Sequence, residues 1–139
     1  MTRYTHELEM EVRDYECDLQ GVVNNANYQH YIEHARHRWL QDMGLDFAEL
    51  HRQGIDLVVV RLEMDFRFPL RSGDRFVVRS WFEREGRLRL FCHQDIYRLP
   101  DQKAVVTAVV TATGLQNGRP SMPEVVAEKL QKGLGGGPA

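Results

Sequence analysis

The sequence predicts an α+β domain in which a curved antiparallel sheet of about five strands wraps around one long helix. Three observations lead there. The apolar residues change once, early in the chain, from a period of two to the period of a helix, and then return to strand-like runs. The later runs are joined by tight turn sequences (Ser72-Gly73-Asp74, Glu85-Gly86, Pro100-Asp101-Gln102 and Asn117-Gly118), so neighbouring strands should pair as an antiparallel meander. One amphipathic helix covers only one face of such a sheet. The sheet must therefore curl around it, and the other face or a sheet edge calls for a second subunit.

Element by element, Leu8, Met10 and Val12 alternate with Glu7, Glu9 and Glu11, the pattern of a strand with one wet face. Asp14 to Asn27 is irregular and polar, with Gly21 and three asparagines. Tyr28, Ile32, Ala35, Trp39 and Met43 then form a stripe able to bury one side of a helix, and Gly44 is a natural stop. Asp46 is placed to cap a short helix through Leu50, ended by Gly54. Leu62, Met64, Phe66 and Phe68 alternate with Arg61, Glu63, Asp65 and Arg67 until Pro69 stops the strand. Arg75 to Glu83, Leu88 to Tyr97 and Ala104 to Leu115 complete the strands, the last rich enough in valine to be buried on both faces. Pro123 to Gln131 reads as a short helix with Pro123 in its first turn. Residues 1–132 make one domain, and Gly133 to Ala139 is a flexible glycine-rich tail.

Composition narrows the function classes. The chain has 139 residues, with 18 Lys+Arg against 20 Asp+Glu and a net charge of −2. That balance offers no electrostatic footprint for nucleic acid or an anionic membrane surface. No apolar run approaches the roughly 18 residues a membrane span needs. The first residues lack the apolar core of a secretory signal. Cys17 and Cys92 are the only cysteines, which is no disulfide framework, so a reducing, cytoplasmic compartment is expected.

Asp18 is the first candidate for chemistry. It sits in Tyr15-Glu16-Cys17-Asp18-Leu19-Gln20-Gly21, seven residues before Asn25 at the approach to the long helix. A helix start presents unpaired N–H groups and roughly half a unit of positive charge, which can hold a carbonyl oxygen as negative charge develops on it. A carboxylate nearby could attack that carbon or activate a water. An ordinary turn aspartate fits the same spacing, and spacing alone does not choose. His30-Tyr31-Ile32-Glu33-His34 matches the H-x-x-E-H pattern of some zinc peptidases. His30, His34 and His37 fall opposite the apolar stripe, however, and no third ligand suggests itself, so a polar helix face is the better reading and no metal is expected. No spacing ties a histidine to Cys17, which reads with Cys92 as a buried structural thiol. Arg84, Arg87 and Arg89 cluster at a turn, as a solvated hairpin or a grip on phosphate.

The run Val12-Arg13-Asp14-Tyr15-Glu16-Cys17-Asp18-Leu19-Gln20-Gly21-Val22-Val23-Asn24-Asn25-Ala26-Asn27-Tyr28, with Tyr31, Glu33, Ala35 and Arg36 beyond it, resembles the signature of hotdog-fold acyl-CoA thioesterases. It is most similar to the branch that includes 4-hydroxybenzoyl-CoA thioesterase. The resemblance implies a hotdog fold and homodimers that join as tetramers. It implies no cofactor, and a substrate that is an acyl-CoA or acyl-carrier-protein thioester. Asp18 falls on the family's catalytic carboxylate, nucleophile or general base. Asn25 falls where a helix-terminal N–H polarises the thioester carbonyl. Gly21, Asn24, Tyr28, Glu33 and Arg36 match supporting motif positions, and Arg84, Arg87 and Arg89 become candidates for the nucleotide end of coenzyme A. Asn25 replaces a histidine found in one branch and Asn24 an aromatic found in several relatives, which leaves the acyl preference open. The same fold also serves non-catalytic acyl-CoA-binding modules; Asp18 is the residue such a module does not need.

Overall fold

In the computed structural model, which describes residues 2–132 and 137–138, the long helix α1 (Asn25–Asp42) packs against one face of an antiparallel sheet. The strands are β1 (Thr2–Arg3), β2 (His6–Glu11), β3 (Ile55–Phe66), β4 (Arg75–Glu85), β5 (Arg89–Leu99), β6 (Lys103–Gln116), β7 (Arg119–Pro120) and β8 (Gly137–Pro138). Two short helices, α2 (Phe47–Arg52) and α3 (Glu124–Lys132), flank the sheet. The main sheet runs β2-β4-β5-β6-β3, with β7 paired to the end of β6. The expected four-strand meander is therefore only β4-β5-β6: β3 pairs with β6 and not with β4. Residues 67–74 carry the chain across the helix start, where Leu70 meets Val23 and Tyr28, to the other side of the sheet, and β2 and β3 are the edges. β1 pairs with β8, Thr2 opposite Pro138 and Arg3 opposite Gly137. The remainder of the expected tail, residues 133–136 and 139, lies outside the described residues.

The turns follow from their residues. Gly73 takes φ of +83° in the turn at Arg71–Asp74 that leads into β4, Gly86 takes +61° in the β4–β5 hairpin, and Asn117-Gly118 takes +52° and +78°, the left-handed pair of a two-residue hairpin. Asp46 caps α2, accepting from the N–H groups of Ala48 and Glu49. The expected stripe is buried at Tyr28, Ile32, Ala35 and Trp39, with Tyr31 and Leu40 added and Met43 half-buried. It meets Phe76, Val78, Phe82, Leu90, Cys92, Ile96, Val106, Ala108 and Val110 of the central strands. Trp39 stacks on Phe82 with ring centroids 4.1 Å apart. Each fully buried large side chain in that layer contributes about 1.5–3 kcal/mol.

Two boundaries differ from the sequence reading. α1 begins at Asn25, a turn before Tyr28, because its first turn is polar and exposed and adds nothing to the apolar stripe. β3 begins at Ile55 and ends at Phe66, whereas alternation suggested only Leu62 to Phe68. The reason is a β-bulge: Val59 pairs with Ala112 and Arg61 with Thr111, so Val60 is an extra residue that breaks the alternation. Pro123 precedes α3 rather than entering it, its carbonyl accepting from Val126 and Ala127.

Candidate active site

The irregular stretch before α1 is closely tied. Asp14–Glu16 forms a 3-10 turn, held by the Arg13 N–H donating to Glu16 Oε1 at 2.8 Å and by the Ser72 hydroxyl donating to Asp14. Cys17 and Val23 then bridge, and Asp18 N–H donates to the Val22 carbonyl at 2.9 Å, closing a tight hairpin at Asp18–Val22. Gly21 supplies the φ of +78° that this hairpin needs. Asp18 Oδ1 accepts from the Gln20 N–H at 2.9 Å, which fixes the carboxylate relative to the turn, and the side chain is exposed. Leu19 at the tip is fully exposed.

The hairpin is joined to the helix start and to the β3–β4 connection. Val23 N–H donates to the Leu70 carbonyl at 2.8 Å, and Val22 bridges Arg71. Tyr28, in the first turns of α1, accepts from the Leu70 N–H at 3.0 Å through its buried hydroxyl. Burial pushes the Tyr28 phenol up, the Leu70 bond opposes this, and the charges at Cys17, Asp74 and Asp18 add to the rise. Tyr31, one residue inward of that turn's end, has a buried hydroxyl with no hydrogen-bond partner. Its pKa is raised by burial and by the neighbouring Glu16 carboxylate.

Asn24 caps α1. Its Oδ1 accepts from the Ala26 N–H at 2.9 Å, and its carbonyl accepts from the Asn27 N–H at 2.9 Å. The Asn27 side chain and the Asn24 N–H both donate to the Glu16 carbonyl, at 2.8 and 3.1 Å, which sets the angle at which the chain enters the helix. Among the described residues the Asn25 N–H has no acceptor. The positive end of an 18-residue helix therefore keeps one donor free beside the aspartate hairpin.

The other expected site residues lie further away. Glu33 is exposed on α1, about 12 Å along the axis from Asn25 at ~1.5 Å per residue. Arg36 stands about 16 Å along it by the same measure. It is half-buried, with Nη1 donating to Gln94 Oε1 at 3.0 Å. Burial lowers its pKa. Gln94 is fully buried and donates in turn to the Ile32 carbonyl at 2.9 Å and to Ser80 Oγ at 3.2 Å. Arg84, Arg87 and Arg89 are exposed at the β4–β5 turn. Since β4 starts beside the aspartate hairpin at Arg75, its nine-residue run to Arg84 puts them roughly 30 Å away within one protomer.

His30, His34 and His37 are exposed. Burial lowers the His37 pKa, and the adjacent Arg36 charge lowers it further. Among the described residues, no group of three or more His, Cys, Asp or Glu gathers as a metal site. Cys17 is half-buried against the core rather than fully buried as expected; Cys92 is fully buried, and burial pushes its thiol up to about 12 despite the opposing charge of Arg36. Two features were not legible in the sequence. One is the Arg36–Gln94–Ser80 network, whose only sequence signal is a glutamine in phase with Leu90, Cys92 and Ile96. The other is an apolar cavity of about 110 Å³ between the C-terminal half of α1, α2 and the sheet.

A sheet curled around one helix, with an aspartate hairpin packed on that helix's capped N-terminus, defines a class. The chain belongs to the thioesterase-like superfamily, whose family model matches residues 12–130. It is similar to the chloroplastic acyl-acyl carrier protein thioesterase ATL3 of Arabidopsis thaliana, 42% identical over 112 residues, which cover 81% of this chain and 59% of that one. The chain thus spans about three fifths of the length of that relative and of the related ATL2. Among solved structures, it resembles a Thermus thermophilus thioesterase complexed with coenzyme A and zinc, with a TM-score of 0.83, 26% identity and coverage of 97% of this chain and 98% of that one. The 1,4-dihydroxy-2-naphthoyl-CoA thioesterase Slr0204 of Synechocystis shares the fold, with a TM-score of 0.84 at 19% identity over 94% of this chain and 96% of that one. No helix among the described residues is long and apolar enough to cross a membrane.

Proposed function

We propose that this protein hydrolyses acyl thioesters of coenzyme A or acyl carrier protein to the free acid and thiol, with Asp18 and the N-terminus of α1 as its catalytic machinery. The observation that carries the reading is the free Asn25 N–H at the helix end, beside an exposed carboxylate fixed by its own turn. The carbonyl oxygen of the thioester sits on the Asn25 N–H, where the helix end stabilises the oxyanion that forms on attack. Asp18 supplies the attack, either through its own oxygen or by taking a proton from water. The C–S bond then breaks and the sulfur leaves as the thiol after taking a proton. In the water route the water's oxygen is already in the acid; in the covalent route water next cleaves the acyl–Asp18 anhydride to free the acid and restore the carboxylate. Asn24 holds the helix end in place, and Tyr28 ties it to Leu70.

The active unit in this reading is a dimer built on β3. That strand is an unpaired edge of twelve residues and exposes Val58, Val59, Val60 and Phe66. Antiparallel pairing of β3 with its copy turns the second protomer end for end. The β4–β5 turn of the second protomer then lies at the Asp18 end, which would let the partner subunit's Arg84, Arg87 and Arg89 reach the phosphates of the thiol carrier.

The test is thiol release from a panel of acyl-CoAs and acyl carrier proteins by the wild type and Asp18→Asn. The amide keeps Oδ1 as acceptor for Gln20, so the turn survives, while the base or nucleophile is lost. The rate should fall at least about a hundredfold. Equal rates in the two proteins would remove Asp18 from the mechanism. Tight acyl-CoA binding by the wild type without release of thiol would instead identify a binding module.

A further inference from the structure

We infer that the groove between β2 and the polar flank of α1 binds a free nucleoside di- or triphosphate, at a site separate from that of the thioester. His34 and Arg38 take the phosphates, Leu8 and Met10 lie under the base, and Tyr31, His30 and Glu16 bond the sugar and the base edge. The groove holds about 460 Å³, within the ~300–1,000 Å³ of small-molecule sites.

The helix itself separates this groove from β3, the edge on which the proposed dimer is built. Tyr28 leans on Phe66 of β3, with ring centroids 5.7 Å apart, whereas Tyr31 leans on Phe76 of β4 at 4.7 Å. His30, His34 and Arg38 recur every four residues, which places them along one wall at intervals of about 6 Å. The other wall is β2. Its Glu7 and Glu9 carboxylates turn away to Arg79 and Arg75, at 2.9 and 3.6 Å, on the sheet face opposite the helix, and Glu11 shares their phase. Leu8 and Met10 are left facing the helix. Among the described residues Arg38 has no carboxylate partner, so its charge stands over an apolar floor.

Two details call for a ligand and define its shape. The Tyr31 hydroxyl is buried, on a side chain 2% exposed, and among the described residues it has no partner. Burial and the Glu16 carboxylate raise its pKa, so it is a donor without an acceptor. The second detail is His30. Asn27 Nδ2 donates to the Glu16 carbonyl at 2.8 Å, so Asn27 Oδ1 is the acceptor from His30 Nδ1 at 3.3 Å. His30 Nε2 is then an acceptor in the neutral ring. Glu16 adds another, since the Arg13 N–H takes Oε1 and leaves Oε2. One end of the groove thus joins a donor to acceptors, which suits ribose hydroxyls and the edge of a base. The other end holds His34 and Arg38, which suit anionic oxygens. Inorganic polyphosphate satisfies only the second end, and an uncharged nucleoside only the first. Coenzyme A carries the same pyrophosphate and adenosine chemistry and is the second source to distinguish.

Isothermal titration of ADP, inorganic pyrophosphate, adenosine and coenzyme A into wild type, Tyr31→Phe and Arg38→Gln reads binding without turnover, so the outcome does not depend on Asp18 or on hydrolysis. Arg38 is exposed, and the Tyr31 hydroxyl has no bond to lose, so folding is not at issue in either variant. ADP should bind wild type more tightly than pyrophosphate or adenosine does, and each variant should lower its affinity about tenfold. Arg61→Gln, on the sheet face away from the helix, should bind ADP as wild type does. Coenzyme A in excess should leave the ADP isotherm unchanged. An ADP Kd weaker than about 1 mM, or equal ADP affinity in wild type and both groove variants, overturns the inference. Pyrophosphate binding as tightly as ADP overturns the nucleotide as ligand. Displacement of ADP by coenzyme A assigns the groove to the thiol carrier and overturns a separate site.

Discussion

Replacing Tyr28 by Phe removes one oxygen atom, and the structure says what that atom does. The hydroxyl accepts from the Leu70 N–H at 3.0 Å, with Tyr28 2% and Leu70 0% exposed. The phenyl ring stays, so packing against Tyr31 and Phe66 is kept, but a buried amide loses its acceptor. An orphaned buried donor costs about 1–3 kcal/mol. With an unfolding entropy near 2.1 cal/mol/K per residue, a chain of 139 residues loses roughly 3–10 °C in Tm for that penalty. Tyr31→Phe is the internal comparison. It removes a hydroxyl that is buried but unpartnered, so it should be neutral or stabilising. Differential scanning calorimetry of both variants at one protomer concentration decides the matter. A Tyr28→Phe midpoint within about 1 °C of wild type, or a larger loss in Tyr31→Phe, would refute the account of how the helix start is tied to the β3–β4 connection.

The β3 edge carries the proposed dimer. Lysines at Val58 and Val60, which are 37% and 51% exposed, should prevent edge-to-edge pairing and give a 16.2 kDa particle in sedimentation equilibrium where wild type gives a multiple. A wild type that sediments as the single chain at micromolar concentration would end that interface. Cys92 gives a pH dependence. Its folded pKa of about 12 lies above the ordinary thiol value of 9.0, so the unfolded chain loses the proton first and stability falls as pH rises between those values. The slope attributable to this group is up to about 1.4 kcal/mol per pH unit, and Cys92→Val should remove it from alkaline urea titrations. Identical alkaline slopes for the two proteins would show that the thiol does not titrate on unfolding.

The order strand, loop, helix, meander was legible because each element buries one face and announces it by period: Leu8-Met10 by two, Tyr28-Ile32-Ala35-Trp39 by the turn of a helix. The turns were legible from residues with few other uses, such as Asn117-Gly118. Local polar geometry was partly readable. Asn24 and Asp46 sit at the caps their residue types suit, but only coordinates reveal that Glu16 anchors the helix entry through its carbonyl. Contacts set by the fold itself left no trace in one dimension. Ile55 to Val60 loses its alternation through the bulge, and Arg36 reaches Gln94 across 58 positions of sequence. Arg84, Arg87 and Arg89 were grouped by a turn, yet nothing in their spacing tells that the turn lies at the far end of the sheet from Asp18.

The bulge at Val60 decouples the shape of the interior from the number of residues in the strand. The ladder skips Val60, so Val59 stands opposite Ala112 just as it would if it followed Arg61 directly. Deleting Val60 would therefore remove the bulge and leave every side chain on its present face. Drawing Val60 into regular pairing would instead turn over the strand upstream of it, so that Asp56 and Val58 faced the helix and Leu57 and Val59 faced outward. The bulge thus absorbs an odd residue: it lets the strand carry one residue more than its partner without changing which side chains meet the helix.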